Sequence, residues 1–396
     1  MFRPKRGEAA LIESPVAVLT LLTALTTFIF YVEARTQWPF FRYLPPLIFI
    51  YAIPVVLSNS GVIPTSSVVY SGMRAYLLPV FLTLMLLSLD FQRAVRVMGR
   101  GVFVMLLGSA GVVIGGTAAY AIVRGGLSAD AWKGFGALAG SWIGGTGNLA
   151  AVAGAVEAGG EEVGLAVLAD NLVYVVWLPL LLASKGWAAR FNRFTGVSAG
   201  RLARMEEAAR EIETDERPAG MRDILTLASL GLAVAWLAKA LAQLIPELPP
   251  VLSTGTWEVL LVTTLGILLS LTPARRIPGS QPLAMAMVYL FVASMGARAE
   301  LSGLRQAPWF VAGAYIWIFV HGLFVVGAAR IFRVDVHTAA IASAANIGGI
   351  ASAPIVAAFH KRSLLPVSVL MALIGYAVGN YLAILTAQLC YLVGRM

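Results

Sequence analysis

Charged side chains are scarce in this sequence. Only 12% of its 396 residues are charged, 59% are hydrophobic, and the mean hydropathy is +0.82. Soluble domains carry roughly 25% charged residues, so the composition excludes an ordinary soluble domain. It predicts a multi-pass protein of the cell's inner, cytoplasmic membrane, surrounded by lipid. The net charge of +9 is explained by the lysine and arginine that collect in cytoplasmic loops, so no nucleic-acid partner is expected.

Cysteine and histidine are also rare, and this excludes several kinds of chemistry. The single cysteine, Cys390, can form neither an internal disulfide nor a cysteine metal cluster. The three histidines, His321, His337 and His360, make no His-Glu-x-x-His zinc motif. No Gly-x-x-x-x-Gly-Lys-Ser/Thr loop for ATP occurs either. We therefore expect no cofactor, no enzymatic activity and no direct use of ATP.

Long apolar segments fill most of the chain. A membrane-spanning helix needs about 20 apolar residues. Segments near this length recur from one end of the sequence to the other, and they predict an all-α membrane protein. The ten candidate spans are Ile12–Val32, Leu44–Leu57, Tyr76–Leu89, Val102–Val123, Val163–Ala183, Ile224–Ile245, Trp257–Leu271, Leu283–Met295, Trp309–Ala328 and Leu364–Leu392.

Two further apolar segments, residues 131–158 and 337–360, are interrupted by glycine and hydrogen-bonding side chains. The first contains Ser-Trp-Ile-Gly-Gly-Thr-Gly-Asn at 141–148, and the second contains Asn-Ile-Gly-Gly at 346–349. An opened backbone is tolerated in hydrocarbon only where protein or a wet cavity surrounds it. Paired breaks in corresponding places of two halves indicate the binding site of a transporter.

The order of segments divides the chain into two similar halves. Residues 1–183 and 224–396 each hold several spans around one broken segment, and the polar residues 184–223 form a linker. Lys185 to Arg204 contain five basic residues and no acid, which predicts a cytoplasmic loop lying on the membrane surface. Each broken segment either crosses the membrane as an interrupted helix or turns back as a re-entrant hairpin. We favour hairpins in two inverted repeats of about five helices, because such repeats commonly build sites at the bilayer midplane.

The broken segments supply the candidate binding groups. Helix N-termini at the breaks would point free N–H groups at an anionic solute, and opened carbonyls could coordinate Na⁺. The alternative is that small residues only let helices pack closely, as we expect for Gly111, Gly115 and Gly116. The candidate solute-binding residues are Ser141, Gly144, Gly145, Thr146, Gly147, Asn148, Asn346, Gly348, Gly349 and Ser352.

Asp170 is the most informative charge, because it lies inside a predicted span. An ionisable group in a membrane is costly and is a functional candidate by default. With Asn171 and Asn380 it would offer the oxygen ligands that a small cation prefers, so we predict cation coupling here, with Na⁺ at Asp170 or a proton in its place. A structural hydrogen bond to a hairpin is the alternative. We expect His321 to be a neutral core histidine, and most tryptophans to be interfacial anchors.

The paired motifs Gly144-Gly145-Thr146-Gly147-Asn148 and Asn346-Ile347-Gly348-Gly349, with Gly375-Tyr376-Ala377-Val378-Gly379-Asn380 downstream, resemble the membrane family filed as domain of unknown function 819. That family is distantly similar to the sodium/glutamate and citrate symporters and to the cation-antiporter and bile-acid-transporter superfamily. The resemblance implies inverted repeats, a scaffold that dimerises and a mobile core. In those symporters Gly-Gly-x-Gly tips hold the substrate. The first motif fits this pattern as Gly144-Gly145-Thr146-Gly147. The second motif departs from it, because Ile350-Ala351 follow Gly348-Gly349.

These observations predict a function. We expect an elevator-type symporter of a small organic solute, coupled to Na⁺ or H⁺ and assembled as a homodimer. A cation/proton antiporter is the nearest alternative. Proteins that resemble such antiporters usually contain a pair of buried acids. A membrane scaffold that transports nothing and an intramembrane enzyme are the remaining classes.

Overall fold

The computed structural model describes residues 10–36, 46–90, 94, 97–198, 200, 207, 217–299 and 306–396. The acidic run at 205–217, which the sequence also predicts to be helix-prone, lies mostly outside the described residues. Helices account for the regular structure of the described ranges. They are α1 (Pro15–Thr36), α2 (Pro46–Asn59), α3 (Val68–Leu87, with a π-helical turn at Met73–Leu77), α4 (Gly101–Val123), α5 (Ala131–Gly144), α6 (Thr146–Ala155), α7 (Gly160–Ala183), α8 (Ala188–Thr195), α9 (Met221–Ala242), α10 (Thr254–Ser270), α11 (Ser280–Ala297), α12 (Ala307–Phe332), α13 (Val336–Ile347), α14 (Gly349–His360) and α15 (Leu365–Gly394).

The helices confirm the all-α membrane class. Within the described residues, eight helical segments are long and apolar enough to cross a membrane, and α2 and α10 are shorter apolar helices. Every predicted span coincides with one of these helices. The helix α8, by contrast, lies inside the polar segment that we expected only to link the two halves.

The first broken segment is a hairpin. Its two helices meet at Gly145, which has a φ of +84°, a left-handed conformation that suits glycine. A Cβ atom built on Gly140 would lie 2.7 Å from the carbonyl oxygen of Asn148. Eight residues of continuous helix would separate these positions by about 12 Å, so the chain must reverse at Gly145. We call α5 and α6 hairpin 1.

The second broken segment also reverses. It turns at Gly348 and Gly349, and Gly349 has a φ of +55°. His337 lies at the start of α13 and His360 at the end of α14, yet their Nδ1 atoms are 3.0 Å apart. The two ends of the segment therefore lie side by side. We call α13 and α14 hairpin 2; the prediction of hairpins is confirmed for both breaks.

The hairpins enter from opposite ends of α7. A Cβ atom on Gly134, in the first turn of hairpin 1, would lie 2.9 Å from the carbonyl oxygen of Glu162 at the start of α7. At the other end of α7, Nε2 of His360 donates a hydrogen bond of 2.9 Å to the carbonyl of Leu181. The tips thus approach each other beside the middle of α7. The inverted relation between the complete halves remains a prediction.

The helices pack in two groups, each of which draws on both halves of the chain. The scaffold group contains α1–α3 and α9–α11, and its main contacts pair α2 with α11 and α3 with α10. The core group contains α4–α7 and α12–α15, and its main contacts pair α4 with α12 and α5 with α15. Glycine allows some of these contacts: a Cβ atom on Gly231 of α9 would lie 2.7 Å from Val80 of α3.

Small residues bring α4 and α12 close together. Cβ atoms on Gly111, Gly115 and Gly116 would lie 2.6 Å from Phe324, 2.9 Å from Trp317 and 2.5 Å from Trp317, respectively. The prediction that these glycines serve packing is confirmed. Trp317 and Trp142 are fully buried. These two are therefore exceptions to the expectation that most tryptophans are interfacial anchors, because their rings fill the core.

Candidate functional site

The tips of the two hairpins touch. A Cβ atom built on Gly349 would lie 3.3 Å from the Cα of Gly145 and 3.6 Å from the carbonyl oxygen of Gly144. A Cβ atom on Gly145 would lie 3.3 Å from the ring of Tyr376 on α15. The two Gly-Gly motifs therefore meet, and the contact is close because Gly145 and Gly349 carry no side chain.

A cavity of about 470 Å³ opens beside this contact. Small-molecule sites commonly measure about 300–1,000 Å³, so its size suits a small solute. The core group supplies one wall, from both tips and the middle of α7: Ser141, Gly145, Thr146, Asp170, Asn171, Tyr174, Ile347, Gly348, Ala351, Ser352 and Ile355. The scaffold group supplies the facing wall: Phe30, Glu33, Pro46, Leu47 and Tyr289.

Asp170 faces this cavity and is held by hairpin 1. Its Oδ2 accepts a hydrogen bond of 2.8 Å from the hydroxyl of Ser141, and its Oδ1 accepts one of 2.8 Å from Nε1 of Trp142. A carboxylate oxygen can accept more than one hydrogen bond, so each retains capacity toward the cavity. Asp170 therefore makes the structural hydrogen bonds to a hairpin that we gave as the alternative, and these bonds are compatible with a functional role.

Tyr174 makes the corresponding contact with hairpin 2. Its hydroxyl accepts a hydrogen bond of 2.8 Å from Ser352. Asn171 also lines the cavity; its Nδ2 donates to the carbonyl of Val167 at 2.7 Å, which leaves its Oδ1 for another partner. One face of α7 therefore joins both hairpins and presents oxygen atoms between them.

Helix N-termini add a second kind of group. Because α6 begins at Thr146 and α14 at Gly349, both short helices start at the tips. The first N–H groups of a helix have no partner within it, and they carry the positive end of the helix dipole. Thr146 and Gly348 line the cavity. The wall thus combines an acidic side chain with backbone groups suited to an anion.

Asn148 and Asn380 lie in a second cluster, outside the residues that line the cavity. Nδ2 of Asn148 donates to Oδ1 of Asn380 at 2.9 Å and to the carbonyl of Tyr376 at 3.1 Å, and Nδ2 of Asn380 donates to the hydroxyl of Thr263 at 2.8 Å. Oδ1 of Asn148 is buried and has no hydrogen-bond partner among the described residues. Asn380 therefore belongs to this cluster and does not line the cavity that Asp170 faces, in contrast to the cation shell that we predicted for the two residues.

This cluster crosses between the two groups of helices. Asn380 belongs to α15 in the core group, whereas Thr263 belongs to α10 in the scaffold group. The next residues repeat the contact, since the hydroxyls of Tyr381 and Thr264 are 2.7 Å apart. Gly147 contributes a further contact, because a Cβ atom there would lie 2.4 Å from the Met85 side chain on α3.

Asn346 anchors hairpin 2 inside the core group. Its Nδ2 donates to the carbonyl of Met105 at 3.0 Å, and its Oδ1 accepts from the hydroxyl of Ser109 at 3.2 Å, both on α4.

Not all of the predicted binding residues line the cavity. Gly144 and Gly349 contribute to the contact between the tips and are not in the cavity wall. The predicted solute-binding residues that line the cavity are Ser141, Gly145, Thr146, Gly348 and Ser352, together with the coupling residues Asp170 and Asn171.

His321 is a fully bonded core histidine, as predicted. A carbonyl can only accept, so the 2.9 Å contact with Gly108 requires a proton on Nδ1. Nε2 contacts the Ser343 hydroxyl at 3.0 Å, and that oxygen accepts from Nε1 of Trp177 at 3.0 Å. The chain Trp177, Ser343, His321, Gly108 is complete with a neutral imidazole.

Sequence reasoning missed the scaffold wall of the cavity. Glu33, Phe30 and Tyr289 lie on α1 and α11, which carry no glycine break to mark them. Glu33, an acid near the end of α1, was the sequence feature that could have indicated this wall. Trp142 was also missed as a partner of Asp170, although it lies within the first motif.

The fold and site define a transporter-like membrane protein: its described residues are helical, with two hairpins that meet beside a cavity. Residues 20–392 match the family described as "Protein of unknown function (DUF819)", and the chain belongs to that family. It is also similar to "Uncharacterized membrane protein YjcL" of Bacillus subtilis (strain 168). The two are 26% identical over 338 residues, which cover 83% of this chain and 85% of that protein.

Proposed function

We propose that this chain is a cation-coupled secondary transporter of a small organic solute, acting in the inner membrane. The cavity beside the hairpin tips carries the proposal. Opened backbone and a carboxylate inside a membrane protein are costly, and they are retained where they line a pathway for solute or ions. Transport, rather than catalysis, is the activity we assign to it.

The driving cation, Na⁺ or H⁺, binds at Asp170. Its carboxylate keeps acceptor capacity beyond the bonds to Ser141 and Trp142. Asn171 offers its Oδ1, and Thr146 its hydroxyl, in the same cavity. Carboxylate, amide and hydroxyl oxygens are the hard ligands that Na⁺ takes, and a single carboxylate also suffices for a proton. Charge neutralisation at Asp170 then favours entry of an anionic group on the solute.

The solute meets the tips on one side and an aromatic wall on the other. The N-termini of α6 and α14 suit a carboxylate, as helix N-termini do generally. Phe30 and Tyr289 lie opposite with ring centroids 4.7 Å apart in an edge-to-face arrangement, and they suit an apolar portion of the solute. These walls support a compact organic anion or amino acid.

The division of the cavity between two groups of helices supports an elevator motion. In this motion the core group carries the solute past the scaffold group, and the Asn380–Thr263 and Tyr381–Thr264 contacts break and re-form. Resemblance to the glutamate and citrate symporters also supports a homodimer formed through the scaffold group. Crosslinking in lipid would test the dimer, and a product confined to monomer would contradict it.

A cation/proton antiporter is the second candidate. Glu33 lines the same cavity as Asp170, so two acids face one space. A pair of carboxylates can alternate between bound metal ion and bound proton. In this mechanism no organic solute is needed.

Reconstitution into proteoliposomes tests both candidates. Uptake of labelled carboxylates, amino acids and amines is measured under an inward Na⁺ gradient, an inward H⁺ gradient, or neither. We expect one solute class to accumulate under one gradient, and accumulation to stop when an ionophore collapses it. Na⁺/H⁺ exchange without added solute would favour the antiporter. Vesicles that show neither accumulation nor exchange, with correctly folded protein, would contradict transport.

A further inference from the structure

A second, apolar crevice lies away from the hairpin tips. It measures about 170 Å³ and opens among α7, α8, α12 and α13. Trp177, Phe191 and Val326 contribute to its walls. The two serines at its surface are already engaged: Ser343 bonds with Trp177 and His321, and Ser184 donates to the carbonyl of Leu181 at 2.6 Å. The crevice therefore offers almost only hydrocarbon contact.

Basic residues lie on the elements that form this crevice, close in sequence to its lining. Lys185 lies in the turn between two lining residues, Ser184 and Trp187, and its Nζ donates one hydrogen bond of 2.7 Å to the carbonyl of Phe359. An ammonium group has three donors, so two remain for a phosphate. Arg190 and Arg193 are exposed on α8, the helix that contributes Phe191 to the wall. The guanidinium of Arg330, on α12, lies 5.8 Å from the ring centroid of Phe194 on α8.

Among the described residues, the acid Asp335 is outnumbered by these four basic residues. Asp335 precedes α13, and its carboxylate is buried and accepts from the backbone N–H of Thr338 at 3.0 Å and from its hydroxyl at 2.7 Å. The sequence between Lys185 and Gly196 contains no acid. Among the described residues the rim is consequently positive, whereas the floor is apolar.

We propose that this crevice binds an anionic phospholipid, with one acyl chain between α7 and α12 and the headgroup phosphate held by Lys185, Arg190, Arg193 and Arg330. Acyl chains match an apolar floor, and each basic residue near a membrane surface attracts anionic lipid by about 1 kcal/mol. The charge on the rim distinguishes this occupant from a zwitterionic lipid. A narrow crevice of this size also fits one chain better than a protein segment.

The position of the crevice gives the lipid a role. One wall is α13, the first helix of hairpin 2, and another is α8, whose Asn192 Oδ1 accepts from the backbone N–H of Val336 at 3.0 Å. A bound lipid would thus fasten the base of hairpin 2 to α7 and α12. This inference is independent of the proposed transport activity.

Native mass spectrometry of the purified full chain tests the site. The protein is titrated with phosphatidylglycerol or with phosphatidylcholine of identical acyl chains. We expect phosphatidylglycerol to be retained at about tenfold lower concentration. The Arg190→Gln/Arg193→Gln variant should lose about tenfold or more of that affinity, given the attraction per basic residue. Arg222→Gln/Arg276→Gln, which neutralises two exposed arginines elsewhere, should retain it.

A second pair of variants tests the acyl-chain slot. Val326 lines the crevice and is 41% exposed, whereas Leu323 is 56% exposed on the same helix but outside the lining. Val326→Trp should remove one retained phosphatidylglycerol, and Leu323→Trp should not. Soluble glycerol phosphate, which has the headgroup charge without a chain, should not displace the lipid. Equal retention of the two lipids, unchanged retention in either crevice variant, or displacement by glycerol phosphate would each overturn the proposal.

Discussion

Asp170 and Tyr174 lie one turn apart on α7, and each is bonded to a different hairpin. Asp170 accepts from Ser141 and Trp142 of hairpin 1, and Tyr174 accepts from Ser352 of hairpin 2. Residues at i and i+4 share a helix face, so a change of charge at the first is felt beside the second. This arrangement gives a direct route by which cation binding can alter how the two tips sit against each other.

Replacing Asp170 by Asn should uncouple transport from the ion gradient while the protein remains folded. The amide keeps one acceptor for Trp142, and the Ser141 hydroxyl can accept from the new NH₂ group because a hydroxyl both donates and accepts. Only the charge is lost. Accumulation in proteoliposomes should fall to background, whereas solute exchange at equilibrium should persist if the cation serves only as the drive.

Asp130→Asn is the matched control for this change, because Asp130 is an acid at the start of hairpin 1 whose side chain is 60% exposed. It should accumulate solute as the unmodified protein does. If Asp170→Asn still accumulates solute with the same ion dependence, Asp170 is structural and coupling occurs elsewhere.

Alanine at either tip glycine should impair folding and transport together. Gly145 and Gly349 have positive φ values, where a side chain costs about 1–2 kcal/mol. The added Cβ atom on Gly349 would also press on Gly145. Thermal unfolding in detergent should detect the loss of stability. Gly327→Ala on α12 is the control, because a Cβ atom there meets nothing within 4 Å and should be neutral or mildly stabilising.

Replacing Thr263 by Val should change transport rate more than stability. The substitution removes the hydroxyl that accepts from Asn380 across the two groups of helices. One hydrogen bond contributes about 1 kcal/mol, which corresponds to about a fivefold change in the population of the described state. Uptake kinetics should show a shift of about that size. Thr226→Val, whose hydroxyl bonds only within α9, should behave like the parent; equal rates in both variants would contradict a moving interface.

The base of hairpin 2 should loosen as the pH falls. Nε2 of His360 donates to Leu181, so neutral His360 must accept at Nδ1 from His337. A further proton would set two N–H groups against each other at 3.0 Å. Lys185 and Lys361 add positive charge nearby, and Asp335 opposes it. The contact therefore contributes its full stability at a pH above histidine's ordinary pKa of about 6.5, and this contribution is lost as the pH falls below that value.

Hydrogen exchange measured between about pH 8 and pH 5.5 tests this expectation. After correction for intrinsic exchange, protection near both ends of hairpin 2 should decrease at the lower pH. Hairpin 1, whose base has no histidine, is the internal control. His337→Gln can still donate to His360 but does not titrate, so its protection should be less sensitive to pH. An unchanged pH response in that variant would show that the histidine pair is not responsible.

Much of the fold could be predicted because membrane helices are encoded by uninterrupted apolar runs. The breaks at 131–158 and 337–360 were equally visible, since Gly-Gly beside Asn stands out against such runs. The start of α3 was placed too late at Tyr76. Its first turns contain the polar residues Ser71 and Arg74, so a search for apolar runs did not include them. The side chain of Ser67 caps the start of this helix by accepting from the N–H of Val69.

The candidate site was predictable only in part, because a single sequence shows breaks but not pairings between distant helices. Asp170 could be selected from its cost in a membrane. Its neighbours in space could not: Glu33 and Tyr289 face it from helices with no distinguishing motif. Asn380 likewise looked suitable as a cation ligand until its amide was found between Asn148 and Thr263.

The division of the cavity wall has a pharmacological consequence. Under the proposed elevator motion, a compound that rests only against the hairpins and α7 would travel with the core group. A compound with a rigid extension that reaches Phe30 and Tyr289 would also contact the scaffold group, and it would thereby prevent the two groups from moving past each other. Selective inhibitors of this protein should therefore be sought among molecules slightly too long to be cargo, and their binding should trap a single state for structure determination.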